Sequence, residues 1–518
     1  MKKKADNKTP LGELICTVYL CLLGVALPLT VHDAYFDITR TKALVFWLLS
    51  GLFLCGWAVV LCIRRGEWPL LPRCDLPGVL FAVFCGTHIL STLLFRPFPA
   101  GLAAVDNRLQ GVWSFLCYLL VFLILRRRGK LSSLARFALL LGAASAALLG
   151  VLDVFDLSIL PLRAVSPAEE LPRFLSTVGN ISFFGALCLL FFPLAAYFAL
   201  SAKDLRGALP YALCAALLFC GGIAARTEAF LLGALTFFAV LPLLCRDATV
   251  LRRTPLLWAL AAAAALLFTL AMGRWALYRP SELTRKLCAP TLLLPFLLLA
   301  ASAFWLLRGK GDGLVAQLRK IYKIVFWALF ALGAVFLLLA NTLWRSTLPP
   351  SIASVAVLSP SWGTDRGAEW ASFWQMFLAA PFHKKLIGSG AGSLAAWDAA
   401  HRLFPDALTD SAHNEYLHYL LTGGLTGLAA YLVLLGTALR RALQKPSRTR
   451  TALALSCTAY AVQAAVNIAQ PFTTPLFFAL LALQFSDEEG DGPNRDGGQF
   501  WYVALCALAA ALLVAAAM

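Results

Sequence analysis

Apolar runs of membrane-spanning length recur along the whole of this chain, and that recurrence limits what it can fold into. Fifteen are read at about 13–31, 43–63, 76–95, 111–125, 137–155, 178–200, 208–223, 229–244, 255–272, 289–307, 324–340, 414–438, 451–468, 471–485 and 500–518. A helix rises about 1.5 Å per residue, so a run of about 20 residues crosses a hydrocarbon core of roughly 30 Å. Lipid offers no water to bare peptide groups, which makes helices the expected form of each span. The run 111–125 is short and is expected to borrow loop residues. The fold class predicted is therefore all-α, a polytopic integral membrane bundle of about 12–15 spans. With 60% apolar and 14% charged residues in 518, a soluble enzyme, a disordered chain and a small secreted scaffold are excluded.

The net charge of +17 is a topology signal in such a chain. With the N-terminus (Lys2, Lys3, Lys4, Lys8) placed inside and the spans alternating, 28 of the 44 basic residues fall inside and 16 outside. Acids divide as 12 inside and 15 outside, so the outer face is nearly neutral and no nucleic-acid partner is implied. The clusters Arg126-Arg127-Arg128 and Arg440 to Arg450 both fall in inner loops. The loop 273–288, with Arg274, Arg279, Arg285 and Lys286, is basic although outside, and its cations are candidates for a site. The first run has the length of a retained span and no convincing cleavage site. The domain reading is N-terminal spans over 1–340, an extracytoplasmic segment over 341–413 with a short interfacial helix, and core spans over 414–485. A polar linker (486–499) and an appended span (500–518) follow. The expected location is the cytoplasmic membrane, with the site on its outer face.

All 44 basic residues can be assigned to loops, leaving only Asp153 and Glu228 near membrane depth. Coupled transporters carry ionisable residues within their spans, so this placement weighs against one. The 14 cysteines lie mostly in apolar runs and read as small packing residues. Neither a cofactor nor a metal site is expected: there is no P-loop, dinucleotide fingerprint or H-E-x-x-H. Asp398, Asp406 and Asp410 read as solvated loop residues.

The segment 341–413 carries the chemistry. Trp370, Phe373, Trp374 and Phe377 recur at helical spacing and predict a short helix lying on the membrane, with Arg366 at or before its first turn. The run Gly388-Ser-Gly-Ala-Gly392 could turn backbone N–H groups toward an anion. His413 precedes the next span, where an imidazole can accept a hydroxyl proton or bind a phosphate oxygen. Gly423 and Gly427 are spaced as a helix-packing pair.

Taken in order, Arg366-x-x-x-Trp370, Gly388-x-Gly-x-Gly392, His413-Asn414-x-Tyr416-Leu417 and Gly424-x-x-Gly427 resemble the signature of the O-antigen ligase and polymerase superfamily. Asn107-Arg108-Leu-Gln-Gly111 is similar to that family's early R-x-x-G segment, and Thr177-Val-Gly-Asn180 to its G-N-x-N segment, with Ser182 in place of a second Asn. Ala225-Arg226-Thr227 is similar to its Ser-Arg-small motif. The likeness spans roughly 14–485. Glu228 departs from the pattern and is expected to pair with Arg226. The runs around 255–307 and the run 500–518 exceed the family's usual dozen or so spans.

The resemblance implies a C-type glycosyltransferase-like enzyme. It would move a glycan from a polyprenyl-pyrophosphate carrier to an acceptor hydroxyl on a glycan, lipid or wall polymer, by inversion and without a metal. The roles it implies are His413 on the acceptor, with Arg366 and Arg226 on the pyrophosphate. Arg108, Arg274 and Arg279 are second-rank cations. Asn414, Tyr416, Gly424, Gly427 and Asn180 order the site, and membrane lipid is a partner. Guanidinium suits the pyrophosphate because it offers planar, bidentate donors. Ligase and polymerase are not separated by these residues. A polysaccharide transporter or flippase and a shape-and-division-type peptidoglycan glycosyltransferase are the rival readings.

Overall fold

A computed structural model describes residues 11–63, 75–97, 100–103, 108–166, 169, 171–401 and 409–486. Asn107, Asp406, the N-terminal lysines, the linker 487–499 and the run 500–518 lie outside the described residues. The first helices are α1 (Leu11–Leu29), α2 (Ile38–Ile63), α3 (Leu76–Phe95), α4 (Ala100–Ala103), α5 (Val112–Arg128) and α6 (Ser133–Val154). After a hairpin of β1 (Phe174–Leu175) and β2 (Gly179–Asn180) come α7 (Ile181–Leu200), α8 (Leu205–Ala224), α9 (Glu228–Leu244) and α10 (Ala248–Trp275). Then follow α11 (Glu282–Leu287), α12 (Pro290–Leu307), α13 (Asp312–Asn341), α14 (Pro350–Ala356), α15 (Trp362–Ala379), α16 (Phe382–Ile387) and α17 (Ser393–His401). The last are α18 (Glu415–Gln444), α19 (Arg448–Gln463) and α20 (Thr473–Leu483).

The protein is an all-α polytopic membrane protein. Among the described residues, ten helices (α1, α2, α3, α6, α7, α8, α10, α12, α13 and α18) are long and apolar enough to cross a membrane, while α9 and α20 are shorter apolar helices. α5 and α19 occupy the expected runs 111–125 and 451–468. Phe-rich α7 is apolar all round and buried over Phe183–Phe198, which makes it the hub against which α8, α9 and α19 pack. α12 and α13 are equally apolar but largely exposed, as suits lipid-facing helices at the edge of the bundle, where α12 packs on α10.

Polar contacts sort the loops onto two faces. On one, Lys130 pairs with Glu13, Arg126 with Asp75, and Arg252 with Asp312. Arg448 reaches Ser201 on the same face. The starts of α3, α6, α8, α10 and α19 there are capped by Asp75, Ser132, Asp204, Asp247 and Ser447, whose oxygens satisfy otherwise orphaned first-turn amides. On the other face, Arg108 pairs with Asp410, Arg163 bonds Tyr278, and Arg226 donates to the Pro172 carbonyl. Each contact joins loops that the alternation puts on one side.

One expectation about charge is overturned. Lys42 does not lie in a loop: it stands in the second turn of α2 and is 1% exposed. Its Nζ donates to the carbonyls of Leu27, Pro28 and Thr30 at 2.7, 3.1 and 3.1 Å, closing the C-terminal end of α1. The last carbonyls of a helix have no internal partners, and a cation there meets both the bonds and the dipole. The sequence reading failed because the residues that need Lys42 are 12–15 positions away. Glu415, in the first turn of α18, is another buried ionisable side chain, accepting from Tyr431 Oη at 3.1 Å.

Candidate active site

α18 is broken where it enters the bundle. Gly424 has φ 72° and ψ −179°, a conformation open to glycine and strained for other residues. The break strips the carbonyls of Leu421 and Thr422 of helical partners. They accept instead from Ser389 N (2.8 Å) and Gly390 N (3.1 Å), and Ser91 Oγ adds a bond to Thr422 O at 2.8 Å. The glycine run 388–392 therefore serves the break in α18, which corrects the reading of those amides as an anion cradle. A Cβ on Gly388 would lie 2.1 Å from Thr422 O, and one on Gly424 2.3 Å from Leu386 O. Gly423 and Gly427 face α3, where added Cβ atoms would meet His88 and Thr87.

The break fixes the top of α18, and His413 stands just before it. Asn414 caps the helix, accepting from Tyr416 N at 3.0 Å and Leu417 N at 3.1 Å. Tyr416 Oη donates to Ala461 O at 2.5 Å, tying the first turn to the end of α19. His413 itself has φ 44°. Its Nδ1 lies 2.8 Å from Glu369 Oε2, with the imidazole 37% exposed and the carboxylate 11%. Nδ1–H donates to the carboxylate, which leaves Nε2 as the basic nitrogen.

Glu369 comes from α15, and this helix corrects one expectation. It runs Trp362–Ala379, but Gly363 (φ 63°) and Asp365 (φ 68°) are left-handed, so its regular turns begin at Arg366, as expected. Its aromatic stripe does not lie as a whole on the membrane. Phe373 and Met376 are buried against Leu394, Ala412 and Leu421 in a small second core, and Trp370 Nε1 donates to Ala412 O at 2.8 Å. Trp374 alone of the four aromatics is exposed. α15 thus presents Arg366 and Glu369, one turn apart, beside the His413 loop. Burial pulls the proton affinity of Arg366 below its usual value, opposed by the charges of Glu369 and Glu228. The charge of Glu228 is felt at Arg366, and among the described residues no ion pair joins it to Arg226.

Arg226, at the tip between α8 and α9, has φ 56° and donates to Pro172 O. Its guanidinium lies 4.7 Å from the ring centre of Tyr278. Burial lowers its proton affinity, Tyr278 opposes the shift and Arg163 adds to it. Two points of the loop that carries Pro172 are fastened: buried Asp153 accepts from Ser176 N (2.7 Å) and Ser158 Oγ (2.6 Å), and Tyr35 Oη donates to Ser176 O (3.0 Å). Asn180 caps α7 through Ser182 N.

Two groups thus stand on one face: His413 with Glu369, which shares α15 with Arg366, and Arg226 with Arg163 and Tyr278. Arg108 is occupied by Asp410 at 2.5 Å. Arg274 and Arg279 are exposed, and it is Tyr278 from their loop that turns inward. Asp398 is buried and accepts from Thr409 N at 2.7 Å, so neither it nor Asp410 is a merely solvated acid. Glu369 was missed because the helical spacing drew attention to the aromatic stripe. The i, i+3 relation to Arg366 was the available signal.

Fold and site define a polytopic membrane protein with a histidine–carboxylate pair and several arginines at one face. Residues 289–432, from α12 into α18, match the family described as O-Antigen ligase, which supports assignment to the O-antigen ligase and polymerase superfamily. The match covers this segment of the chain, which carries α15 and the start of α18. The matched span includes the run 289–307, so that run is not surplus to the family pattern. No curated protein matches the chain.

Proposed function

We propose that this protein transfers a glycan from a polyprenyl-pyrophosphate carrier to an acceptor hydroxyl on a glycan, lipid or wall polymer. The transfer takes place at the extracytoplasmic face of the cytoplasmic membrane, and the basic loops bearing Lys130 and Arg440–Arg450 mark the opposite, cytoplasmic face. The observation that carries the reading is the Glu369–His413 pair standing beside Arg366. His413 Nε2 takes the hydroxyl proton as the oxygen attacks the anomeric carbon. The new C–O bond forms as the bond to the pyrophosphate breaks, with inversion in one displacement. Arg366 and Arg226 meet the charge that grows on the leaving group, and the imidazolium then returns its proton to water.

The chain's own guanidiniums supply the counter-charge, so transfer should proceed in a chelator. The test is release of polyprenyl pyrophosphate by vesicles carrying the full chain, with His413→Ala and Arg366→Ala compared separately. Wild-type rates in both inserted variants would sink the mechanism. A ladder of repeats as product identifies a polymerase, and a single transfer to a foreign acceptor a ligase.

A further inference from the structure

Tyr278 holds two guanidiniums that no part of the mechanism above requires together. Arg226 Cζ lies 4.7 Å and Arg163 Cζ 5.4 Å from its ring centre, and Arg163 Nη2 donates to its hydroxyl at 2.7 Å. The two charges are thus no more than about 10 Å apart, within roughly one Debye length at 0.1 M salt. An aromatic ring attracts a cation through its face, which explains how a neutral side chain gathers two like charges. Repulsion between them is left standing, because Arg226 bonds a carbonyl and Arg163 a hydroxyl. Each also keeps a buried donor without an acceptor, Nη1 of Arg163 and Nε of Arg226. Buried donors without partners are costly, and two of them on cations that share one ring favour an anion there.

We propose that Arg163 and Arg226, held on Tyr278, form a two-guanidinium subsite for a ligand with two adjacent anionic centres, the pyrophosphate of the lipid carrier. This rests on the transfer reading above and adds Arg163 as a ligand residue and Tyr278 as a positioning residue. One guanidinium grips one phosphate through its planar fork, and two presented side by side select a diphosphate over a monophosphate. Tyr278 is the contribution of the basic outer loop: its neighbours Arg274 and Arg279 face solvent, and the ring sets the spacing of the cations.

The experiment measures binding of glycan-free polyprenyl diphosphate and polyprenyl monophosphate to the purified full-length protein. Wild type should prefer the diphosphate by tenfold or more, the scale of one lost charge-assisted bond pair. Arg163→Gln and Tyr278→Leu should bring that preference close to one. Tyr278→Phe, which keeps the ring and loses the acceptor hydroxyl, should fall between them and guards against misfolding of the leucine variant. A preference retained in Arg163→Gln and Tyr278→Phe overturns the proposal, as does an equal loss for both lipids. His413→Ala separates the two claims: it should keep the diphosphate preference while slowing transfer roughly 10²–10⁴-fold. Transfer at the wild-type rate in His413→Ala with the preference intact would defeat the transfer reading and leave the subsite standing.

Discussion

Replacing Glu369 by Gln removes one charge and almost no volume, and its effect follows from a single contact. The bond from His413 Nδ1 to Glu369 Oε2 is 2.8 Å long, and the carboxylate side chain is 11% exposed. A hydrogen bond to a charged group contributes roughly 1.5–3 kcal/mol and a neutral one about 0.5–1.5 kcal/mol. The imidazole is 37% exposed, so solvent screening favours the lower end, and a difference on the order of 1 kcal/mol follows. That corresponds to a fall in kcat of roughly fivefold. Glu369→Ala loses the bond outright and should cost between about tenfold and a hundredfold. KM for the donor should not rise in Glu369→Gln, because Arg366 loses a competing carboxylate. The assay is release of polyprenyl pyrophosphate by vesicles, with insertion and thermal unfolding checked for each variant. In a His413→Ala background Glu369→Gln should add no further loss beyond about 0.5 kcal/mol, since the residue it acts through is gone. Full additivity, or a wild-type kcat in Glu369→Gln alone, would refute the role given to the pair.

Other outcomes follow from the scaffold. Gly424→Ala combines a left-handed φ with a Cβ 2.3 Å from Leu386 O, and should lower stability by at least about 2 kcal/mol in thermal unfolding; a neutral result would contradict the break in α18. Lys42→Met should destabilise by a few kcal/mol, as three carbonyls at the end of α1 lose their donor, and should leave transfer by the folded fraction unchanged. Asn414→Ala should cost about 1 kcal/mol of stability and lower kcat, since the cap sits next to His413. Arg108→Gln and Asp410→Asn should each cost about 1 kcal/mol and, combined, little more than either, as read by a double-mutant cycle of unfolding.

The helices were legible because burial in lipid writes itself into composition. Each apolar run that falls on described residues coincides with a helix, short α5 included. What a local pattern could not show was distance. Lys42 reads as a loop cation until α1 ends beside it, and Asp398 reads as solvated until Thr409 N is placed on it. The glycine run reads as an anion cradle until α18 is seen to break. At the proposed site, His413, Arg366 and Arg226 could be singled out by residue type and position. Glu369, Arg163 and Tyr278 did not, since each acts through a partner at least 44 residues away. The stripe on α15 was legible as a stripe, but whether it met lipid or a second core depended on α17 and α18.

The break in α18 carries a consequence for the motions of the molecule. Ser389 and Gly390 lie in a glycine-rich loop, yet their amides close the open carbonyls of a buried helix. Hydrogen exchange at these two positions should be as slow as in the helix they complete, and should quicken only when the loop and the upper turns of α18 part together. Those turns are held from both sides, by Ser389 and Gly390 of the outer segment and by Ser91 and Tyr416, which join them to α3 and α19. The break is therefore a joint between outer segment and bundle, and the position of His413 above it depends on both.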